Sequence, residues 1–217
     1  MARRTKEDAS ATRSSLIDAA EKVFCEKGVS GASLSDIAQA AGATRGAIYW
    51  HFRDKVDLFG AMMDRVTLPL EQGIGELECN TCSDPVARLR AVLALVLHGV
   101  ASDERTRRVF EIALYKVEYV GELVGVRDRH MAASEGFTRQ LARDFELAAQ
   151  VQQITLPMSP MEAAMGLHAL FDGLMCNWLL GVEAFDLVKV GRVGTDAFLQ
   201  GLGLSLPLEG GVRGAGE

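Results

Sequence analysis

Two short amphipathic helix patterns separated by a tight turn follow residue 31, and they constrain the fold more than any other stretch. Ser33 can cap the first helix, and Asp36 completes a capping box that satisfies backbone N–H groups in both directions. Gly42 follows where a helix end favours a residue that tolerates the left-handed conformation. Thr44 then caps a second helix, expected over the next eight residues. This arrangement is typical of a helix-turn-helix motif.

The second helix of the motif has an outward surface suited to DNA. Ile48 and Phe52 are four residues apart and should face inward onto the first helix. The remaining side chains must then be largely exposed, and two large aromatics with a His are unusual on a solvated surface. In this motif the second helix enters the major groove. The predicted DNA-contacting residues are Ser33, Thr44, Arg45, Gly46, Ala47, Tyr49, Trp50, His51 and Lys55.

These residue types match the chemistry of a DNA surface. Arg45 suits a guanine edge, and Tyr49 and His51 can donate hydrogen bonds to phosphates. Gly46 lets the backbone approach closely, and Lys55, at the start of the next helix, is expected to add a phosphate contact. The alternative is a plain helical hairpin whose aromatic side chains pack in a core.

Residues 12–58 closely resemble the DNA-binding domain of the TetR family of bacterial transcriptional repressors. The run Gly-Ala-Thr-Arg-Gly-Ala-Ile-Tyr-Trp-His-Phe-Arg-Asp-Lys at 42–55 is similar to the family's most characteristic signature, in which a Tyr-aromatic-His-aromatic run precedes a Lys. The opening Arg-Arg-Thr-Lys-Glu at 3–7, Arg-Arg at 107–108 and Phe-Asp-Gly at 171–173 look like the branch that represses multidrug efflux pumps.

Helical patterns continue along the rest of the chain, with no convincing strand and no internal repeat. We therefore expect an all-α protein of about nine helices. The resemblance implies an N-terminal three-helix helix-turn-helix DNA-binding domain at 1–54 and a helical ligand-binding and dimerisation domain at 55–206. The Gly-rich end, 207–217, is expected to be a disordered tail.

Capping residues and breakers predict several helix boundaries. The first helix should span 12–27 and stop at Gly28, after a polar arm at 1–11 that is either a disordered tail or an arm laid on DNA. Asp54 should cap a helix reaching about residue 78, and Pro69 should bend or break it. Further helices are expected over 86–101, from Ser102 or Asp103 to about 119, over 121–153, from Ser159-Pro160 to about 181, and from Asp186 or Thr195 to about 204.

The net charge of −6 is unevenly distributed. Residues 1–55 carry nine Lys+Arg and seven Asp+Glu, whereas residues 56–217 carry 14 Lys+Arg and 22 Asp+Glu. This asymmetry is typical of a small nucleic-acid-binding module on an acidic body. Because the module is only weakly basic, dimerisation is expected to supply the remaining affinity for DNA.

Other function classes find little support. The N-terminus lacks the apolar core of a signal peptide, and no run approaches the roughly 20 apolar residues of a membrane span, so a cytoplasmic protein is expected. There is no Gly-rich phosphate loop with Lys-Ser/Thr, and the four His residues lack metal-ligand spacing. We therefore expect no enzyme activity, no metal and no cofactor.

The stretch 161–180 is apolar nearly all round, so it should be buried on all sides. One face can meet the domain core and the other needs a partner. The resemblance implies that this helix and the one at 187–202 pack against their copies in a second subunit, forming a four-helix bundle. The alternative is the central helix of a monomer.

Polar residues embedded in apolar stripes either make structural hydrogen bonds or mark a mostly apolar ligand cavity. The resemblance implies a large drug pocket lined at Phe110, Leu114, Phe171 and Asp172, and Met-rich walls suit a promiscuous binder. We expect a hydrophobic small molecule. The predicted ligand-binding residues are Leu93, Val96, Phe110, Glu111, Leu114, Tyr115, Phe137, Leu141, His168, Phe171, Asp172 and Met175.

Two ideas concern regulation. In the first, ligand pushes the C-terminal half of the helix at 54–78, and a weak point at Pro69 lets the other half swing the recognition helix away from DNA. In the second, Cys79 and Cys82 form a Cys-x-x-Cys pair that makes the protein a redox-sensing repressor. The alternative to the second idea is two incidental surface thiols.

Overall fold

A computed structural model describes residues 6–80, 84–119, 121–181 and 184–207. Within these ranges the protein is all-α and has no strand. The described helices are α1 (Lys6–Gly31), α2 (Leu34–Ala40), α3 (Arg45–His51), α4 (Lys55–Asn80), α5 (Pro85–Ser102), α6 (Glu104–Tyr115), α7 (Val124–Gln152), α8 (Pro160–Leu180) and α9 (Leu187–Gly201), with a short 3-10 helix at Gly121–Leu123 before α7. The predicted all-α fold of about nine helices is confirmed.

The chain forms two compact units that are each discontinuous in sequence. The first unit contains the chain up to Gln72 together with Gly99–Ser134. The second contains Gly73–His98 and the chain from Glu135 onward. The unit that includes the helix-turn-helix therefore also includes α6 and parts of α4 and α7, and the functional boundary at residue 54 stays a prediction.

Helix α1 begins earlier than predicted. It begins at Lys6, so the part of the expected polar arm that the structure describes is helical, with Glu7 and Asp8 in the first turn, where acidic residues favour the helix dipole. Arg3 and Arg4 lie outside the described residues. At Gly28 the backbone is non-helical, with φ 71° and ψ 164°, so the regular helix ends there as predicted, and a short helical segment continues beyond this kink to Gly31.

Helix α4 continues through Pro69 without a break, contrary to one of the two expected outcomes. Proline removes only one backbone donor from the helix ladder, and Pro69 is exposed, so its ring meets solvent instead of a packed neighbour. At the start of this helix Asp54 Oδ1 accepts a hydrogen bond from the Asp57 N–H at 2.7 Å, as expected of a cap.

The other helix ends follow their predicted caps closely. Asp103 caps α6 and Asp186 caps α9, so the alternatives Ser102 and Thr195 are not used. Ser159 and Glu162 form a complete capping box at the start of α8. Helix α6 is shorter than predicted and ends at Tyr115, and α7 is preceded by the 3-10 turn where a continuous helix was expected.

The first unit has a continuous apolar core. Its centre is the apolar face of α1, including the fully buried Leu16 and Phe24. Three further elements contribute buried side chains to this core. Phe52 comes from the end of the motif, Met62 from α4 and Ile112 from α6. The motif therefore rests on a core shared by α1, α4 and α6.

The second unit is held together by partly buried ion pairs and by a glycine that permits a tight contact between helices. Arg88 Nε of α5 donates to Asp144 Oδ1 of α7 at 2.9 Å, and Arg90 Nε of α5 donates to an Asp196 oxygen of α9 at 2.6 Å. Gly191 lies so close to α5 that a Cβ there would be 2.1 Å from Leu97. These contacts fix α5, α7 and α9 against one another.

Helices α5 and α8 are long and apolar enough to cross a membrane, contrary to the expectation that no segment reaches this length. Both, however, carry fully buried side chains, such as Leu89 in α5 and Leu167 in α8. A core helix of a soluble protein meets the same criterion, so the pair is weak evidence for a membrane protein.

Candidate nucleic-acid interface and ligand-site residues

The turn between α2 and α3 has the predicted geometry. Gly42 has φ 64°, and no other atom lies within 4 Å of the position a Cβ would take, so the left-handed backbone alone accounts for the glycine. The Ala43 N–H donates to the Ala38 carbonyl at 2.9 Å, which closes the end of α2. The turn therefore sets the angle at which α3 leaves α2.

The capping box that begins α2 is fully formed. Ser33 N–H donates to Asp36 Oδ2 at 2.9 Å, and Asp36 N–H donates to Ser33 Oγ at 3.1 Å. Lys27 Nζ also donates to Asp36 Oδ1 at 2.8 Å. The hydrogen bond from Lys27, followed by those from Ser33, holds the pKa of the Asp36 carboxyl well below its usual range. The first turn of α2 is thus fixed by a charged group.

Helix α3 separates an inward from an outward face as predicted. Ile48 and Phe52 are almost completely buried. Trp50 is 72% exposed and Tyr49 is 49% exposed, which contradicts the alternative of a hairpin whose aromatics pack in a core. His51 is half-buried and packs edge-on against Trp50, with ring centroids 4.5 Å apart.

The N-terminal end of α3 presents polar groups to solvent. Thr44 Oγ1 accepts a hydrogen bond from the Ala47 N–H at 3.2 Å, so the threonine caps the helix. The Arg45 guanidinium lies 5.8 Å from the centre of the Tyr49 ring, which places both side chains on the same exposed surface. Gly46 is exposed between them. A base edge or a phosphate could reach each of these groups.

Lys55 differs from the expectation. Its side chain is buried, and its Nζ donates to the backbone carbonyls of Ala32 at 3.1 Å and Ser30 at 3.3 Å. The ammonium group therefore holds the junction between α1 and α2 to the start of α4 instead of facing solvent. The end of α1 leaves two backbone carbonyls without helical partners, and these carbonyls accept hydrogen bonds from Lys55. The position of Lys55 directly after the motif gave no indication of these partners.

Arg53 is a candidate contact that sequence reasoning missed. It follows α3 directly, and its side chain is 83% exposed, with a long ion pair of 3.6 Å to Asp57. An exposed cation beside a recognition helix is a natural partner for a phosphate. The sequence contained an indication of this contact, since Arg53 is the only basic residue between the predicted motif helix and Lys55.

The predicted ligand-binding residues divide between the two units. Residues of the first unit lie on α6, where Phe110 is partly buried against the core and Tyr115 is 38% exposed. Glu111 and Leu114, also on α6, are half-buried. The remaining eight lie in the second unit, on α5, α7 and α8. That the two sets line one cavity stays a prediction.

Within the second unit, several predicted residues form an aromatic cluster. The ring of His168 is 5.1 Å from that of Phe137, and Phe171 is 6.3 Å from Phe137. Thr138 Oγ1 and His168 Nδ1 form a hydrogen bond of 2.7 Å, and His168 Nε2 is 3.5 Å from Asp172 Oδ2. The structure thus brings these side chains together. Four further predicted residues are buried in the same unit: Leu93, Val96, Leu141 and Met175.

Other chemistry finds no support in the parts of the chain that the structure describes. Those parts contain no group of three His, Cys, Asp or Glu residues placed to hold a metal ion. Of the Cys-x-x-Cys pair, Cys82 lies outside the described residues and the side chain of Cys79 is not described.

Comparisons with known proteins agree with this geometry. Residues 16–62 match the family described as bacterial regulatory proteins, tetR family, and residues 84–204 match the MAATS-type transcriptional repressor, C-terminal region. The HTH-type transcriptional regulator AcrR of Shigella flexneri is 38% identical over 197 residues, covering 88% of this chain and 89% of AcrR.

Solved structures give the same result. NalD, the secondary repressor of the MexAB-OprM multidrug efflux pump in Pseudomonas aeruginosa, is 35% identical and superimposes with a TM-score of 0.78 over 94% of this chain and 100% of NalD. The triclosan complex of SmeT, a Stenotrophomonas maltophilia efflux-pump repressor, is 31% identical with a TM-score of 0.77, over 88% and 91% of the two chains. None of these proteins supports a redox-sensing role for Cys79 and Cys82. The chain belongs to the TetR family of bacterial transcriptional regulators.

Proposed function

We propose that this protein is a ligand-responsive repressor that binds a pseudo-palindromic operator as a homodimer and is released by a hydrophobic small molecule. The regulated genes are proposed to encode a multidrug efflux pump, because NalD and SmeT are repressors of such pumps. The observation that carries the proposal is the exposed Tyr49–Trp50 surface of α3, held outward by the buried Ile48 and Phe52.

Operator reading is assigned to the exposed groups of α3 and its cap. Arg45 is proposed to pair with a base edge, because the N-terminal residues of a recognition helix meet the major groove. Thr44 and Tyr49 are proposed to contact phosphates, and Arg53 joins them as an added contact. Lys55 is proposed to support this surface from behind by holding the α1–α2 junction.

Dimerisation is assigned to an apolar surface on α8 and α9. Met165 is 59% exposed and Leu180 is 72% exposed on α8, although other residues of that helix are fully buried. Val193 of α9 is 55% exposed. Large apolar side chains that are exposed on two helices in contact with each other favour burial against a second copy of the chain. The dimer is expected to hold its two recognition helices about 34–36 Å apart, or a multiple of that distance.

The ligand is proposed to be an apolar, aromatic compound bound near Phe137, His168 and Phe171. Aromatic rings provide the apolar wall of such a site, and a few fixed polar groups provide orientation. Thr138 holds the His168 ring by a hydrogen bond, and Asp172 lies beside it. Triclosan, the compound in the SmeT complex, is the first ligand to test.

The protein is proposed to act in the cytoplasm, where its operator would be found. No enzyme activity is proposed, because the family consists of regulators.

The test is selection of bound duplexes from a random DNA pool by the purified full-length protein. We expect enrichment of a pseudo-palindrome, binding of the selected duplex as a dimer, and release by triclosan. Trp50→Ala should weaken binding to the selected duplex, and Arg139→Gln, which removes an exposed cation on α7, should not. Failure to enrich any sequence would contradict operator binding, and enrichment without release by apolar drugs would contradict ligand response.

A further inference from the structure

Helix α6 belongs to two parts of the proposed mechanism at once. It carries Phe110 and Leu114, which are predicted to meet the ligand. Its Val109 and Ile112 are fully buried in the core that supports the helix-turn-helix. Any displacement of α6 by a ligand must therefore also disturb this core, and the contacts between α6 and α1 decide how far the disturbance travels.

A cluster of opposite charges joins the start of α6 to α1 and α4. We call it the α1–α6 charge cluster, and its members are Asp18 and Glu21 of α1, Arg65 of α4, and Arg105 and Arg108 of α6. The short hydrogen bonds go to Asp18, with Arg65 Nη1 at 2.6 Å and Arg105 Nη2 at 3.0 Å. Arg65 is further fixed by Ser14, whose carbonyl accepts at 2.9 Å.

Glu21 is the unusual member of this cluster. Its side chain is only 2% exposed, and among the described residues its Oε1 has no hydrogen-bond partner. Three guanidinium groups form long ion pairs with its carboxylate, those of Arg105 at 3.5 Å, Arg65 at 3.6 Å and Arg108 at 4.0 Å. Burial raises the pKa of Glu21, and the three arginines oppose this rise. A buried carboxylate oxygen that lacks a hydrogen bond is costly.

The cluster therefore has two arrangements close in geometry. In the observed one, Arg65 and Arg105 donate to Asp18, and Glu21 Oε1 is left without a hydrogen bond. A movement of α6 by about 1 Å would bring Arg105 within the usual 2.7–2.9 Å of the Glu21 carboxylate. Packed interfaces with two such arrangements switch between them instead of deforming continuously.

The end of α6 is attached to α1 as well. The Lys116 carbonyl accepts a hydrogen bond from the Val29 N–H at 2.8 Å, directly after the kink at Gly28. The next carbonyls, those of Ser30 and Ala32, bind Lys55 Nζ. Helix α6 thus holds α1 at the charge cluster and again at the segment that leads into α2.

We propose that Glu21 is the switch residue of the α1–α6 charge cluster: displacement of α6 moves the Arg105 guanidinium from Asp18 to Glu21 and passes ligand occupancy to the recognition helix α3 through α1. This proposal rests on the proposed function and names a route for its regulation. It differs from a hinge at Pro69 in α4, because it assigns the moving contacts to the surface between α6 and α1.

The test measures hydrogen exchange in residues 104–115 of the full-length protein, with and without the duplex selected above. In the wild type, duplex binding should slow exchange in α6, because the cluster ties α6 to the DNA-binding surface. Glu21→Gln keeps the side-chain size and removes the charge, and Arg105→Gln removes the α6 partner, which is half-exposed. Each variant should reduce the duplex-induced change by about 2- to 30-fold, the range expected for residues on a coupling route.

Arg139→Gln is the matched control, because it removes an arginine from an exposed ion pair with Glu135 outside the cluster. It should leave the duplex-induced change as in the wild type. Thermal unfolding identifies a variant that fails to fold, and Arg105→Gln then carries the test. If the duplex protects α6 equally in wild type and both variants, or binds without protecting α6 at all, the proposal is overturned. The proposed function fails differently, by absence of duplex binding.

Discussion

Lys55 provides the sharpest test of the structure, because sequence position and geometry assign it different roles. Lys55→Met keeps an apolar stem of similar length and removes the ammonium group. Two hydrogen bonds to the Ser30 and Ala32 carbonyls disappear, and both are long, at 3.3 and 3.1 Å. Hydrogen bonds to charged groups contribute about 1.5–3 kcal/mol. Given the long distances, we expect the free energy of unfolding to fall by about 1.5–3 kcal/mol in total.

The DNA-binding assay separates the two roles. A lysine that neutralises a phosphate contributes about 0.9 to the slope of log K against log salt concentration. Lys55→Met should weaken binding to the selected duplex through loss of stability but leave this slope unchanged. Arg53→Gln is the matched comparison, since its side chain is 83% exposed. It should reduce the slope by about 0.9 per chain and change the unfolding free energy by less than about 0.5 kcal/mol.

The measurements are urea unfolding and fluorescence-anisotropy titrations across salt concentrations. A Lys55→Met protein with wild-type stability and a reduced slope would refute the structural role and restore the phosphate contact.

Three further results are expected. Arg45→Ala should cost about 1–3 kcal/mol on the selected duplex and relax base preference at one position of each half-site, which gel shifts on duplex variants measure. Met165→Lys, on the exposed surface of α8, should give a monomer by sedimentation velocity at micromolar concentration; a stable dimer would place the interface elsewhere. Gly28→Ala should destabilise the protein by about 1–3 kcal/mol because φ 71° and ψ 164° is a region open essentially to glycine. Gly136→Ala is the control, because Gly136 lies inside α7 with no atom within 4 Å of the new Cβ. This change should raise the free energy of unfolding by about 0.5–1 kcal/mol. Equal effects of the two changes on the free energy of unfolding would argue against the left-handed backbone at Gly28.

The stretches that sequence reasoning placed correctly are those whose interactions are local. The Ser33–Asp36 and Ser159–Glu162 capping boxes each close within three residues, and both are present. Gly42 has the left-handed backbone expected at the end of α2. The inward side of α3 followed from the four-residue spacing of Ile48 and Phe52, and the exposure of Trp50 followed from it in turn.

The features that only the structure decided join residues far apart in the chain. Lys55 was assigned to phosphates because its nearest sequence neighbours suggested it, but its hydrogen-bond partners are 23 and 25 residues away. Gly28 is a helix stop in the sequence, but only the structure shows that a helical segment resumes after it and that the Lys116 carbonyl accepts a hydrogen bond from the Val29 N–H.

The sequence by itself determined the helices, their caps and the exposed surface of α3. The reason is that the spacing of apolar residues and the capping hydrogen bonds both act over three or four residues. Tertiary structure alone decided that α6 shares the core of the helix-turn-helix and that Arg105 reaches Asp18 across 87 positions of sequence. Such pairings depend on how the helices pack. The position of a charged residue along a helix does not by itself identify the oppositely charged residue that it will contact. Glu21 illustrates the reason: its place in α1 is evident from the chain, but three guanidinium groups surround it only after folding.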